Sequence, residues 1–435
     1  MRKTAGLTHI TIFTEPAPCG GKCIYCPSVP EMPKSYLPHA DIKKFGLNYS
    51  SREQLRYWIS KTIDDGMAAK KIEVIILGGS FLAHSRNYRR EFIRGIYEAI
   101  DGDAPNSTAE EIIERHSSSA ERRIIGITIE ARPDQIDKAS LEEIFRLGVT
   151  KVELGVQSLN DEILEFNKRG HSSKDVESAV AVIRDFGLKV GFHLLLGMPG
   201  SNFEKDIVSS ERALKDSRFR PDHIKFYFCE MFKKEFMDPE LRKLFEEGKW
   251  KPLDKREREA LLEVILPMVP ESTRISRIGR KCADSEVEGE RFFIDRGNVE
   301  RKFKCRCIRC REPLPKFETD MKSVIVADEK WRENEVYFEA RPESENRCLG
   351  LLRLHINSTR SIVRELHVYG IETPIGEHGI HQHKGIGKML LKAAEDYSKR
   401  FGCKIIFVAS GVGVREYYRK KGYILNEDGF MEKEL

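Results

Sequence analysis

Residues 19–26 read CGGKCIYC and space Cys19, Cys23 and Cys26 as Cys-x3-Cys-x2-Cys. Three thiolates within eight residues form a ligand set, one short of the four ligands that a structural zinc ion takes. Ferredoxin clusters also use four cysteines. A triad on one loop suits a 4Fe–4S cluster in which three irons are held and the fourth stays open to a small molecule. His39 keeps a zinc site open as an alternative, and a plain electron-transfer cluster is another.

After this loop the chain alternates between strand and helix. KIEVIILGG (71–79), IIGITIEARPD (124–134), KVELGVQS (151–158), KVGFHLLLGMPG (189–200) and HIKFYFCEM (223–231) are short apolar runs, most of them closed by glycine or polar residues. Amphipathic stretches such as SREQLRYWISKTIDDGM and SSKDVESAVAVIRDFG separate them, capped by Ser or Asp and stopped at Gly. Such alternation predicts parallel strands with right-handed crossovers, a full or partial (β/α) barrel whose chemistry sits at the C-terminal strand ends. From Phe317 the pattern changes to four strands, a glycine loop, a helix, a strand and a helix, an α+β module. The expected division is a barrel over 1–270, a basic cysteine-bearing linker over 271–316 and a second domain over 317–435. HSSSA (116–120) reads as a polar loop.

A length of 435 residues fits two or three domains, and 40% hydrophobic with 33% charged residues fits a chain with a real core. No run approaches the ~20 apolar residues of a membrane span, and MRKTAGLTHITIF has no signal-peptide core, so a cytoplasmic protein is expected. Six of the ten cysteines fall in two clusters, which in a cytosolic chain read as metal ligands rather than disulfides. The second cluster is Cys305, Cys307 and Cys310, with Cys282 as the expected fourth ligand of a structural zinc; reduced free thiols are the alternative. Cys229, Cys348 and Cys403 sit in apolar surroundings and read as core thiols. Residues 296–311 carry seven Lys or Arg and one acid, either a solvated face or a phosphate-binding patch.

The first triad resembles the hallmark of the radical SAM superfamily. The resemblance implies that the open iron chelates S-adenosylmethionine and that Gly78, Gly79 and Ser80 form the turn against its amino group. Glu153 and Gln157 of ELGVQS, and GMPG, match further cofactor-contacting strand ends. Near the C-terminus, Gln382-x-x-Gly385-x-Gly387 lies between a strand and a long helix, where backbone N–H groups converge on a pyrophosphate. With YYRKKGY beyond it, this set resembles the GNAT acetyltransferases. That implies acetyl-CoA on Gln382, Gly385, Ile386, Gly387 and Lys388, with Glu365, Leu366, His367 and Val368 along the pantetheine arm. Tyr418, with Tyr417 beside it, would protonate the leaving thiolate; core packing is the other role open to both rings.

The two halves in one chain resemble the Elongator catalytic-subunit family of tRNA wobble-uridine acetyltransferases, through ILGGSF, GITIEARPD, ELGVQS, SIVRELHVYG, QHKGIGKMLL and SGVGVREYYRKKGY. Lys71 matches a family lysine that contacts acetyl-CoA from the barrel side. The resemblance implies a composite reaction. A deoxyadenosyl radical takes hydrogen from the acetyl methyl group, the carbon adds to C5 of the wobble uridine, and hydrolysis of CoA leaves a carboxymethyl group. Implied partners are a tRNA anticodon stem-loop, acetyl-CoA and an electron donor, with no membrane and no required further subunit. Two sites facing one cleft predict a large barrel–GNAT interface. Family members carry a basic N-terminal extension; here MRKTAG alone is similar to its end, so a short form or tRNA contact through other surfaces is expected. Other classes remain in view: a protein lysine acetyltransferase with the barrel as scaffold, a non-catalytic tRNA-binding module, and a coproporphyrinogen-oxidase-like radical enzyme, which the GNAT half argues against.

Overall fold

The computed structural model describes residues 5–435 except 120, 281, 289–291, 293, 295–298, 300, 301, 358, 374–378 and 380. Seven parallel strands form the first sheet in chain order: β1 (Thr8–Phe13), β2 (Lys71–Leu77), β3 (Arg123–Ala131), β4 (Val149–Gln157), β5 (Lys189–Leu196), β6 (His223–Phe228) and β7 (Arg274–Ile278). β1 does not pair with β7 among the described residues, so the sheet curls into an open half-barrel. One face of each strand is apolar and lies under the crossover helices: Ile72, Val74 and Ile76 on β2, and Val190, Phe192, Leu194 and Leu196 on β5, are all buried. Helices start where side chains supply the missing acceptors, as at Ser172, which shares a capping box with Asp175.

Three expectations are corrected. β1 and β7 had not been read as strands, and the barrel therefore runs past residue 270, through Arg274–Ile278 inside the stretch assigned to the linker. Half or more of the residues in each are polar, which hides both strands from a search for continuous apolar runs. HSSSA is not a loop: the helix Ala109–Ser119 takes in its first four residues. There, the ring of buried His116 faces Asp101 at 2.9 Å and accepts from the Ile124 amide at 2.9 Å, which removes the cost of burying it.

The second sheet runs β13-β14-β12-β11-β10-β9-β8. Its strands are β8 (Val324–Arg332), β9 (Glu335–Pro342), β10 (Gly350–Asn357), β11 (Arg360–Val368), β12 (Ile405–Val408), β13 (Ile424–Leu425) and β14 (Met431–Glu434). All neighbours are antiparallel except β11 and β12. That parallel pairing covers only Ser361–Val363 against Ile406–Val408. Beyond Val363, β11 stays paired with β10 as far as Val368, with a register shift at Arg353/Leu354. Among the described residues, the other backbone edge of Arg364–Val368 has no strand partner.

A buried ionic seam joins the two units. Arg364 donates to Asp222 twice at 2.9 Å, to Glu335 at 2.7 Å and to the Leu188 carbonyl at 2.8 Å. Arg353 donates to Glu365 at 2.8 Å and to the Ser272 carbonyl at 2.7 Å. Both guanidinium groups are fully buried, so the surrounding carboxylates and carbonyls must offset their desolvation. Burial alone would push the Asp222 carboxyl up; Arg364 and Arg353 outweigh it and hold it far below the usual range. Phe145 against Phe430, 4.5 Å between centroids, extends the contact.

Candidate active site

The loop after β1 crosses the C-terminal end of the barrel. Its fold is set by short local bonds: Thr14 N donates to the Leu77 carbonyl at 2.9 Å, Cys26 N to the Cys23 carbonyl at 3.2 Å, and Ile24 N to the Asn167 carbonyl at 3.3 Å. Asn167 in turn donates to the Pro199 carbonyl at 2.8 Å, so the cysteine loop and the GMPG loop are tied through one side chain. Cys19, Cys23 and Cys26 are all half-buried. The Gly21 amide faces Cys19 Sγ at 3.4 Å, and Arg169 Nη1 faces Cys23 Sγ at 3.6 Å. Burial, then the Cys23 and Cys19 thiols, push the Cys26 thiol up to about 11. Three thiolates cannot share this loop without a cationic centre, and the donor set, soft and one ligand short, fits a 4Fe–4S cluster.

Beside the loop, β2 ends in the turn Gly78-Gly79-Ser80. Gly78 has φ +150°, and a Cβ there would sit 1.9 Å from Thr14 Oγ1, so the turn closes on the cysteine loop only with glycine. The Ser80 hydroxyl bonds Gln135. Gln157 ends β4 with φ +67°. Glu153 is deeper, in the barrel lumen, and bonds Lys225 and His193.

That lumen is charged throughout. Tyr36 donates to Glu130 at 2.8 Å, His193 faces Glu153 at 3.1 Å, Lys151 lies 2.8 Å from Glu73, and Thr128 donates to Glu73 at 2.8 Å. Burial acts against the Glu73 and Glu153 carboxylates, but Lys151 and Lys225 respectively overcome it and hold both well below the usual range. Tyr36, Glu130, Lys151, Glu153, His193 and Lys225 line a cavity of about 1170 Å³ that also takes in Cys19, Cys23 and Cys26 and, from the second domain, Ile371 and Glu372.

Beside Glu372, the barrel and the glycine loop meet. Lys71 Nζ donates to Gln382 Oε1 at 2.6 Å, and burial lowers Lys71 to about 8 against the opposing pull of Glu372. Glu372 accepts from the Lys70 and Lys71 amides, each at 2.7 Å, and from Thr8 at 2.9 Å. Gln382 also donates to the Gly6 and Val368 carbonyls at 3.0 and 3.1 Å. Gly385 has φ +93° and caps the helix Ile386–Arg400, whose positive end suits a phosphate. Ile386 is buried, Gly387 is half-buried and Lys388 is exposed. On β11, Leu366 and Val368 pack into the second-domain core. Glu365 and His367 face the barrel instead, Glu365 toward Arg353 and His223, and His367 bonding the Ala5 carbonyl at 2.7 Å.

The two tyrosines part company. Tyr418 is buried in the core with its ring against Tyr417 and Tyr423, and burial drives its hydroxyl far up. Tyr417 is 37% exposed, and a Cβ on Gly387 would lie 3.0 Å from its hydroxyl, so Tyr417 presents its oxygen to the glycine loop. Burial raises it to about 12.

Cys305, Cys307 and Cys310 are gathered with all three sulfurs within 4.8 Å of one another, and all are buried. Three soft donors converging in a buried site make a ligand set that suits a thiophilic metal. Cys282 is not brought into this group: it packs against a separate cluster that includes Met231, Phe232 and Trp250, because its segment follows β7 away from the linker. The linker cations are largely spent internally. Arg311 is buried and bonds Glu339, Arg309 bonds Glu312 at 3.2 Å, and Arg306 bonds Glu271. Arg296 and Arg301 of the basic stretch lie outside the described residues.

Apart from Glu153, none of the lumen charges is singled out from the sequence, nor are Arg132 and Arg169. For the strand residues the signal is a period of two: Thr128 and Glu130 on β3, Lys151 and Glu153 on β4, and His223 and Lys225 on β6 alternate with apolar neighbours.

Two family models match the chain: Radical SAM superfamily over residues 18–209, and Acetyltransferase (GNAT) family over residues 305–423. The tRNA uridine(34) acetyltransferase of Dehalococcoides mccartyi is 34% identical across 100% of this chain and 99% of its own length. That of Methanocaldococcus jannaschii is 32% identical over 97% of this chain and 84% of its own. The structure of Methanocaldococcus infernus Elp3 with an N-terminal deletion (1–46) superposes with a TM-score of 0.83 at 29% identity, covering 99% of this chain and 100% of that one. The half-barrel with its three-cysteine loop and the splayed sheet with its glycine loop therefore carry one assignment: the chain belongs to the tRNA uridine(34) acetyltransferase family, a radical SAM domain joined to a GNAT acyltransferase domain.

Proposed function

We infer that the protein places a carboxymethyl group on C5 of a tRNA wobble uridine, using acetyl-CoA as the carbon source. The observation that carries this reading is the single cavity of about 1170 Å³ shared by the three-cysteine loop and the second domain. It gives the acetyl group and the radical source a common space. When bound, the 4Fe–4S cluster and S-adenosylmethionine supply a hydrogen-abstracting radical, which an unactivated methyl group requires because no ordinary base of pKa near 7 removes its proton.

Cys19, Cys23 and Cys26 hold the cluster, and Gly78, Gly79 and Ser80, with Gln157, offer backbone and polar groups to the methionyl end of the cofactor. Gly385, Ile386, Gly387 and Lys388 cradle the CoA pyrophosphate, and the unpaired edge of β11 receives the pantetheine amides. Lys71 is within reach of the acyl end once its bond to Gln382 yields. Tyr417 is the better placed proton donor to the leaving thiolate, with Tyr418 packing behind it. The buried triad Cys305, Cys307 and Cys310 holds a structural zinc that fixes the connector between the domains, and that connector starts after β7. An electron donor and a tRNA anticodon stem-loop complete the set of partners.

The test is mass spectrometry of nucleosides from tRNA incubated with the reconstituted protein, acetyl-CoA and S-adenosylmethionine under reducing conditions. The expected product is 5-carboxymethyluridine at the wobble position, dependent on both cofactors. Acetyl-lysine formed on added protein without S-adenosylmethionine, and no modified uridine, would overturn the reading.

A further inference from the structure

We propose that Arg132 donates its free Nη1 hydrogens to sulfur of the iron–sulfur centre held by Cys19, Cys23 and Cys26, and thereby sets that centre's reduction potential. The proposal rests on the radical SAM reading of the three-cysteine loop.

Arg132 follows β3 and is 4% exposed. Three of its bonds are fixed within the protein. Nε donates to Asp134 Oδ1 at 3.0 Å, Nη2 to Asp134 Oδ2 at 3.1 Å, and Nη2 also to the Arg169 carbonyl at 3.0 Å. Nη1 is left buried with no hydrogen-bond partner among the described residues. Buried guanidinium donors are rarely left unmatched, since the cost of desolvating a charged donor is not recovered elsewhere.

The orphan points at the cysteine loop. A Cβ added to Gly21 would lie 2.5 Å from Arg132 Nη1 and 3.4 Å from Cys23 Sγ. The missing side chain at Gly21 is what lets the guanidinium reach the loop between Cys19 and Cys23. The only acceptors that a cluster brings to this spot are its sulfides and thiolates. Asp134 orients the fork and Arg169 anchors it, so Arg132 is held with one donor face turned to the loop. Hydrogen bonds to cluster sulfur and nearby positive charge both favour the reduced, more negative centre.

The prediction carries a sign for each partner. Loss of the cation should lower the potential, and loss of its countercharge should raise it. The experiment is a redox titration of the anaerobically reconstituted full chain, followed by electron paramagnetic resonance, first without S-adenosylmethionine. Arg132→Gln should raise the oxidised-to-reduced ratio at a given potential about tenfold, a shift of about 59 mV for a one-electron couple. Arg132→Lys should move it the same way by less. Asp134→Asn should move it the opposite way. Iron and sulfide content and the melting curve report assembly and fold for each variant; if Arg132→Gln takes up no cluster, the Asp134→Asn titration decides. Shifts of the same sign in Arg132→Gln and Asp134→Asn, an unchanged or lowered potential in Asp134→Asn, or shifts that arise only after S-adenosylmethionine is added would overturn the proposal. A wild-type chain that assembles no four-iron cluster would overturn the radical reading itself, a failure visible before any variant is made.

Discussion

The molecule contains two cysteine triads of nearly the same composition and opposite setting. Cys19, Cys23 and Cys26 stand half-buried at the rim of a large cavity, beside two arginines with unmatched nitrogens. Cys305, Cys307 and Cys310 are sealed, each at most 3% exposed, between β7 and the second sheet. Structural metal centres are closed, while reactive ones keep a position open. Access, more than the number of thiols, separates a site that holds the fold from one that works on a substrate.

That contrast can be broken by paired substitutions. Cys23→Ser should remove the cluster and lower uridine modification by at least about 10³-fold, while the melting midpoint moves by no more than about 2 °C, the size expected of a change outside the core. Cys307→Ser should do the reverse in kind. A structural zinc is worth on the order of 10 kcal/mol to its local fold, so the variant should lose one zinc per chain and unfold well below the wild type in differential scanning calorimetry. Normal melting of Cys307→Ser with modification abolished would erase the distinction between the triads.

The next effect tests the seam that holds the two domains on one cavity. Asp222→Asn leaves Arg364 with Glu335 as its remaining carboxylate partner and Arg353 with Glu365, and breaking a buried pair costs up to about 3–5 kcal/mol. The urea midpoint should fall accordingly; an unchanged midpoint would mean that the seam contributes little. The smallest effect is on acid stability. Burial, then Lys151, holds His223 down to about 4, against about 6.5 for a free imidazole. The folded state keeps the ring neutral, so the associated stability is whole above about pH 6.5 and is lost as pH falls toward 4. His223→Gln should flatten the loss of urea midpoint between pH 7 and pH 5, and an unchanged slope would remove His223 from the acid response.

Much of this was legible from residue order. Five of the seven barrel strands are apolar runs ending in glycine or polar residues, and both cysteine triads are visible by spacing alone. β1 and β7 were not, because half or more of the residues in THITIF and RISRI are polar. Thr8, His9, Thr11, Arg274, Ser276 and Arg277 line the charged cavity, so polar residues in these strands mark a lined cavity. The glycine loop was legible as a phosphate cradle, but its engagement with Lys71 was not, since the two residues lie 311 positions apart. Cys282 misled because a ligand count says nothing of where a thiol remote in sequence packs; here it lies with Met231, Phe232 and Trp250. Nor could sequence separate Tyr417 from Tyr418: neighbours on a helix point about 100° apart, and only the packing decides which ring is core.

One measurement addresses the shared cavity most directly. The reconstituted protein is given tRNA, S-adenosylmethionine, a reductant and acetyl-CoA carrying deuterium on its methyl carbon. The expected result is deuterium in the 5′-deoxyadenosine released, with the remaining two-carbon unit recovered on the wobble uridine. Unlabelled 5′-deoxyadenosine alongside unmodified uridine and released acetate would contradict it, because the two sites would then be working apart.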